Sequence, residues 1–443
     1  MTPGGIATRH SPSFALVQAH FGVGMVGMAA FAAALVWFAA RLAGAEAGQL
    51  GSHYFQPTLL GLVHLCVLGW FLPVALGAMH QLLPVVFEVP VRSERLAWTG
   101  LALYLPGAAG LILHLWGFRL GVGLVASATL LFAAVLVYVT NLVATLRAAK
   151  SVPQLGWFVL AALAWLVFAA GLGLALAWNL HAPFVAGDHL EGLRAHAHAA
   201  ALGFFGLLIM GVALRLMEMF LLAYVDDVRA ARVALVLVNL ALVALVAQRL
   251  VVSSPTLAAV LEGLSVLAAV SGIAAFLTQV GRLWFARMKR HVEVPWWHAL
   301  ASFSYLAVAG ALGAVVALVP ASALESLAVG LPERLALAYG FIALAGFIGS
   351  IIVGQLYKIW PFLVWFHRFS PLVGLKKVPT ASELVPLRSQ RVQWAAHHVG
   401  VVLFAVGVLL PPGGPLPLIG AASFALAVAL FLFHMAIVAR SRP

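Results

Sequence analysis

The sequence predicts an all-α polytopic membrane protein of twelve transmembrane helices in three four-helix units. Three observations predict it. The 443 residues are 64% hydrophobic and only 9% charged, more apolar surface than a soluble fold of this size can hide. Apolar runs long enough to cross a bilayer recur along the whole chain. One pattern of residues returns three times, four runs apart.

The runs place spans at about 13–42, 56–87, 95–116, 120–146, 155–179, 190–223, 229–250, 256–283, 295–319, 333–366, 391–411 and 415–438. The first run is too long for a signal-peptide core and lacks a basic leader, so it reads as a retained span. The longest polar stretch, from about Arg368 to Arg391, reads as a loop. The net charge of +12 invites a nucleic-acid reading, but its placement argues against one. Eighteen Lys and Arg lie at the termini and in the loops after even-numbered spans, against five in the loops after odd-numbered spans. That bias places both termini in the cytoplasm, in a bacterial inner membrane, with the lipid bilayer as the main partner. A single cysteine, Cys66, excludes an internal disulfide framework.

The repeat falls on spans 2, 6 and 10. It runs from His64 through Gly69, Trp70 and Gly77 to Pro84; from His198 through Gly203, Phe204 and Gly211 to Glu218; and from Phe341 through Gly346, Phe347 and Gly354 to Pro361. The offsets are identical in each copy. Units of about 13–146, 155–283 and 295–438 follow, expected to pack as one membrane domain over 1–443. The glycines permit close helix contact, and the prolines should loosen or end their helices. Trp70, Phe204 and Phe347 read as packing rather than as the lining of a cofactor. At offset seventeen stand Gln81, Arg215 and Lys358, which suggests a shared polar vestibule, with Arg215 and Glu218 spaced to pair.

Intramembrane histidines need partners and mark candidate sites. His64 and His198 occupy the same repeat position, so they are the leading candidates to ligate one metal or haem iron from opposite sides. His196 lies two residues before His198, about 200° around an α-helix, so the two cannot easily serve one metal. His196 therefore reads either as the ligand of a second, five-coordinate haem or as a solvated residue near the surface. Arg194 and Arg334, at the starts of spans 6 and 10, are placed either to meet haem propionates or to anchor the interface. A second polar group includes His20, His80, His298, Tyr357, His397, His398 and His434. Within it His20, His80, His397 and His398 could form another metal or quinone site, interfacial solvation being the plainer reading. His64 and His80 differ by sixteen residues, about 160°, so they should not share a site. Ser302 and Tyr305 on span 9 could carry protons.

Twelve spans in three four-helix units, with histidines on spans 2 and 6, resemble the catalytic subunit of the haem-copper oxidases. The string His196-Ala197-His198 followed by Gly203-Phe204 resembles the segment with which those subunits ligate two haems. The NnrS family, tied to nitric oxide stress, is a smaller relative of the same architecture. The resemblance implies b-type haem, one or two, a redox partner or quinol, and a small gas such as nitric oxide or oxygen. The chain departs from the pattern in two places: span 7, where the oxidases carry a copper-ligating histidine pair, has no histidine, and the histidine-x-histidine pair that they carry on span 10 lies here on span 6, with Phe341 at its place on span 10. Copper is therefore expected, if present, away from its usual place. A cofactor-free transporter and a copper-handling protein are the alternatives from other classes.

Overall fold

The computed structural model describes residues 10–44, 53–151, 154–184 and 188–443. Among them, twelve helices are long and apolar enough to cross a membrane. In chain order they are α1 (Phe14–Ala43), α2 (Pro57–Phe87), α3 (Glu94–Trp116), α4 (Val122–Arg147), α5 (Gln154–His181) and α6 (His189–Leu221). The second half comprises α7 (Arg229–Leu250), α8 (Pro255–Ala286), α9 (Val294–Leu318), α10 (Leu331–Arg368), α11 (Leu387–Leu409) and α12 (Leu416–Arg440). In a bilayer every backbone group must be satisfied within the chain, and uninterrupted helices do that.

The contacts divide the chain into two compact units. Unit 1 comprises Met1–Gly24 and Phe55–Lys289; unit 2 comprises Met25–Tyr54 and Arg290–Pro443. Within unit 1, α3 packs on α4, α4 on α5, and α7 on α8. Within unit 2, α9 packs on α10 and α11 on α12.

The three repeat-bearing helices share a departure from α geometry. Each contains a π-helical segment that begins one residue after the first residue of the repeat: Leu65–Phe71 in α2, Ala199–Gly206 in α6 and Ile342–Gly349 in α10. A π-turn bonds i to i+5 and loosens the helix locally. Hydroxyls from the preceding or following helix reach carbonyls in two of these segments. Tyr104 of α3 donates to the Leu68 carbonyl, and Ser302 of α9 donates to the Phe347 carbonyl at 2.8 Å. The widening also resets the helix phase. Taking up roughly one extra residue turns the helix back by about 100°, so His64 and His80 stand roughly 60° apart rather than the 160° of a uniform α-helix.

The repeat glycines lie where helices press closest. A Cβ on Gly77 would sit 2.8 Å from the Cβ of His20 on α1; on Gly211, 2.5 Å from the Cβ of Phe158 on α5; on Gly354, 2.8 Å from the Cβ of His298 on α9. The same contact thus recurs in all three copies. Trp70, Phe204 and Phe347 are buried as packing side chains, with at most 3% of their surface exposed. The copies differ at their far ends. The residue after α2, Glu88, and the residue after α6, Leu222, are left-handed, and each helix stops there. Pro84 lies one turn before the first stop, as expected. Pro361 does not end its helix, because α10 runs on to Arg368. In a long span, neighbouring groups can satisfy the carbonyl that a proline frees.

Candidate functional site

His64 lies eight residues into α2, where its Nδ1 bonds to the Leu60 carbonyl one turn back at 2.7 Å. A carbonyl only accepts, so Nδ1 carries the proton and Nε2 keeps its lone pair. His196, on α6, is fixed in the same way by a different helix. Its Nδ1 donates to the Ala169 carbonyl of α5 at 2.8 Å. The ring also presses on α5 at Gly173, where a Cβ would lie 2.8 Å from its Cε1. Among the described residues none hydrogen-bonds the Nε2 of either ring.

The two rings lie together, 6.3 Å between centroids and 15° from parallel. Both rings are partly buried. The backbones around them are not in extensive contact: the first turns of α2 pack on α3, and those of α6 on α5 and α7. Deeper in, the two helices meet through side chains, with the rings of Phe71 and Phe205 at 5.9 Å.

His198 has other surroundings. Its Nδ1 bonds to the Arg194 carbonyl at 2.8 Å, and the Arg194 and Arg249 charges bear on it. Helix α6 is still α-helical through residue 198, so the two-residue spacing sends His196 and His198 to nearly opposite sides. The His196 side faces α5 and His64; the His198 side belongs to a charged network. There Arg249 of α7 pairs with Glu191 at 2.5 Å and with Glu262 of α8 at 2.6 Å. Arg194 pairs with Glu191 at 2.8 Å, and Gln248 donates to Glu262 at 3.3 Å. Glu191, Arg249 and Glu262 were not singled out from sequence. The available signal was an acidic residue two turns inside an apolar span, Glu262.

Arg334 has a structural task. It is buried, and its guanidinium donates to the carbonyls of Gly330, Val329 and Leu409 at 3.1, 2.8 and 2.9 Å. It ties the segment before α10 to the end of α11 within unit 2. The offset-seventeen residues each have a local partner. Gln81 donates to Ser11, Arg215 pairs with Glu218 at 3.1 Å as the spacing implied, and Lys358 pairs with Glu293.

The second polar group falls into two buried sets. In unit 1, His20 Nδ1 donates to the Leu16 carbonyl, and its Nε2 accepts from Tyr138 at 2.8 Å. His80 Nδ1 donates to the Leu76 carbonyl, and its ring lies 5.7 Å from that of His20 and 5.8 Å from that of Tyr138. Among the described residues the fully buried His80 Nε2 has no hydrogen-bond partner. In unit 2, the rings of His298, His397 and His398 lie 5.0–5.3 Å apart, and they are tied by hydrogen bonds to Gln393, Tyr305 and Ser350. Among the described residues, no group of three or more His, Cys, Asp or Glu is arranged to hold a metal ion. No protein-family model matches the chain, and no curated protein is detectably similar to it.

Proposed function

We propose that the protein is a haem-binding integral membrane protein in which His64 and His196 are the axial ligands of one b-type haem within unit 1. The observation that carries this is the ring pair. An imidazole nitrogen bonds a metal at about 2 Å and sits about 1.1 Å from its ring centre, so two imidazoles on one iron have centroids roughly 6 Å apart. The observed 6.3 Å meets that spacing. Both Nδ1 atoms are held by backbone carbonyls, the outer contact that orients a ligating histidine and fixes its tautomer. The repeat pointed to His198 as the partner of His64; the geometry favours His196, and His198 joins the Arg249 network.

A haem supplies one-electron chemistry, and the protein sets its ligation, polarity and access. Held by both His64 and His196, a haem would supply electron transfer rather than direct binding of nitric oxide or oxygen. A quinol or a redox protein would serve as donor, and a gas-reactive centre would need an open second position. The likeness to haem-copper oxidases belongs to this proposal, as do the cytoplasmic termini and the bacterial inner membrane read from the charge bias. So does the grouping of twelve helices into three units, supported by the recurring π segments and glycine contacts.

The test is the visible spectrum of protein purified after expression with ample haem, with a pyridine haemochrome assay. The expected result is a low-spin b-type spectrum that is lost or turned high-spin in His64→Ala and in His196→Ala and unchanged in His80→Ala and His198→Ala. A colourless protein with stoichiometric copper would replace this reading with a copper site. A colourless, metal-free protein would favour the transporter.

A further inference from the structure

Unit 2 contains two lines of hydrogen-bonded side chains that meet in its interior. The first begins at Ser389, a partly exposed residue at the start of α11. Its hydroxyl bonds His434 Nε2 of α12 at 2.6 Å, and His434 Nδ1 bonds the hydroxyl of Tyr357 of α10 at 2.7 Å. His434 and Tyr357 are buried. The second line runs through α9 and α11. His298 Nε2 donates to Gln393 Oε1 at 3.0 Å, so its Nδ1 is an acceptor. His398 Nε2 donates to that Nδ1 at 3.2 Å, so His398 Nδ1 accepts from the Tyr305 hydroxyl at 3.1 Å. With every group neutral, the tautomers agree from end to end. Turning the Gln393 amide by 180° would reverse every donor and acceptor in it, again without charge. A chain with two equivalent polarities is what stepwise proton transfer requires: one polarity before a proton passes, the other after.

The lines meet where Tyr357 stacks on His298, with centroids 6.3 Å apart. Beside this junction two fully buried polar atoms, Gln393 Nε2 and His397 Nδ1, have no partner. Leaving such atoms unpaired is costly, and a bridging water would satisfy them. The charged groups at the Ser389 end include Arg388 and Arg391 of the same turn, the Arg391 guanidinium 5.6 Å from the Trp297 ring, and the Lys358–Glu293 pair. Tyr305 lies eleven residues beyond Val294, about 16 Å along α9 at 1.5 Å per residue. That is roughly half of an apolar core about 30 Å thick.

We propose that Ser389, His434, Tyr357, His298, His398 and Tyr305 form a proton path from the surface of unit 2 to the middle of its helices, with one water between Tyr357 and His298. Each step breaks one O–H or N–H bond and forms the next; one passage leaves the second line in its other polarity with Gln393 turned, and a passage in the opposite direction restores it. The path does not depend on haem. It gives the membrane interior a supply or an outlet for protons, whatever reaction uses them.

The test is isotope exchange in the full-length protein. With 15N-histidine labelling, the ring N–H signals of His298 and His398 are followed by NMR after transfer to D2O. The wild type should exchange them within minutes. Tyr357→Phe keeps the ring and removes only the hydroxyl, and it should slow both signals at least tenfold. Ser389→Ala should slow them in the same sense, and it stands in if the first variant fails to fold. The His20 ring N–H of unit 1 should be unaffected in both. Unchanged exchange in both variants, or wild-type signals that resist D2O for hours, would overturn the path.

Discussion

Substituting Gly173 by Ala should detach His196 without touching either histidine. The added Cβ would sit 2.8 Å from His196 Cε1 and 3.3 Å from its Nδ1. Carbon–carbon contacts settle near 3.5 Å, so the ring must retreat by roughly 0.7 Å. Metal–ligand distances hold to within about 0.2 Å, so the retreat is roughly three and a half times what an iron–imidazole bond accepts. Nδ1 would also be pushed off the Ala169 carbonyl that orients the ring. The expected outcome is a haem held by His64 alone: five-coordinate, high-spin and able to bind carbon monoxide, where the wild type does not. Reduced-minus-oxidised and carbon monoxide difference spectra measure it. Gly171→Ala is the control, because its Cβ would meet Phe132 at an ordinary 3.5 Å. A fully low-spin Gly173→Ala beside a high-spin His196→Ala would show that α5 does not press on His196. If His196→Ala is itself unchanged, His196 is not an axial ligand and the proposed pairing falls.

Gly354→Ala should destabilise unit 2, because its Cβ would lie 2.8 Å from the Pro295 carbonyl oxygen. Overpacking typically costs about 1–3 kcal/mol. Gly340→Ala meets nothing within 4 Å and should gain up to about 1 kcal/mol in helix propensity. The two should therefore move the thermal midpoint in detergent in opposite directions. Arg334→Met should lower that midpoint by removing charged donors from three carbonyls, worth roughly 1.5–3 kcal/mol each before relaxation, and leave the haem spectrum and haem retention unchanged. Loss of haem in that variant would restore the propionate role. A reporter fused within Lys289–Glu293 should read cytoplasmic, and a periplasmic reading would contradict the charge count.

The helices were legible because hydrocarbon leaves little choice: long apolar runs must be helices, and their existence needs no tertiary knowledge. The repeat was legible too, since glycines at fixed offsets mark close contacts. The π segments were not, because no residue type demands an i→i+5 bond. Leu65–Phe71 reads as ordinary apolar helix. Missing it put His64 and His80 on opposite sides. The repeat and the ring geometry point to different members of the His196–His198 pair. Alignment of repeats compares positions along the chain, whereas ligation depends on which neighbour holds the ring. His196 is oriented from α5 by Ala169 and Gly173, and no spacing within α6 reports that. Arg334 looked like a free interfacial cation because its acceptors are backbone carbonyls, one of them 75 residues away.

Histidine and phenylalanine exchange places across the copies, and this exchange separates chemistry from packing. At the start of the repeat stand His64, His198 and Phe341; against the later glycine stand His20, Phe158 and His298. Each set has two histidines and one phenylalanine on one backbone plan. A buried imidazole without a hydrogen bond is unfavourable, and His20 and His298 each have partners from other helices, Tyr138 for one and Gln393 with His398 for the other. Phe158 needs none, and it packs fully buried against Gly211. Phe158→His should therefore cost about 1–3 kcal/mol, the penalty of an unsatisfied buried polar group. His20→Phe combined with Tyr138→Phe should lose less, because it removes the imidazole together with the hydroxyl that pairs with it and leaves neither unpaired. Equal losses in thermal unfolding would mean that the backbone plan alone sets these sites and that the partners came afterwards.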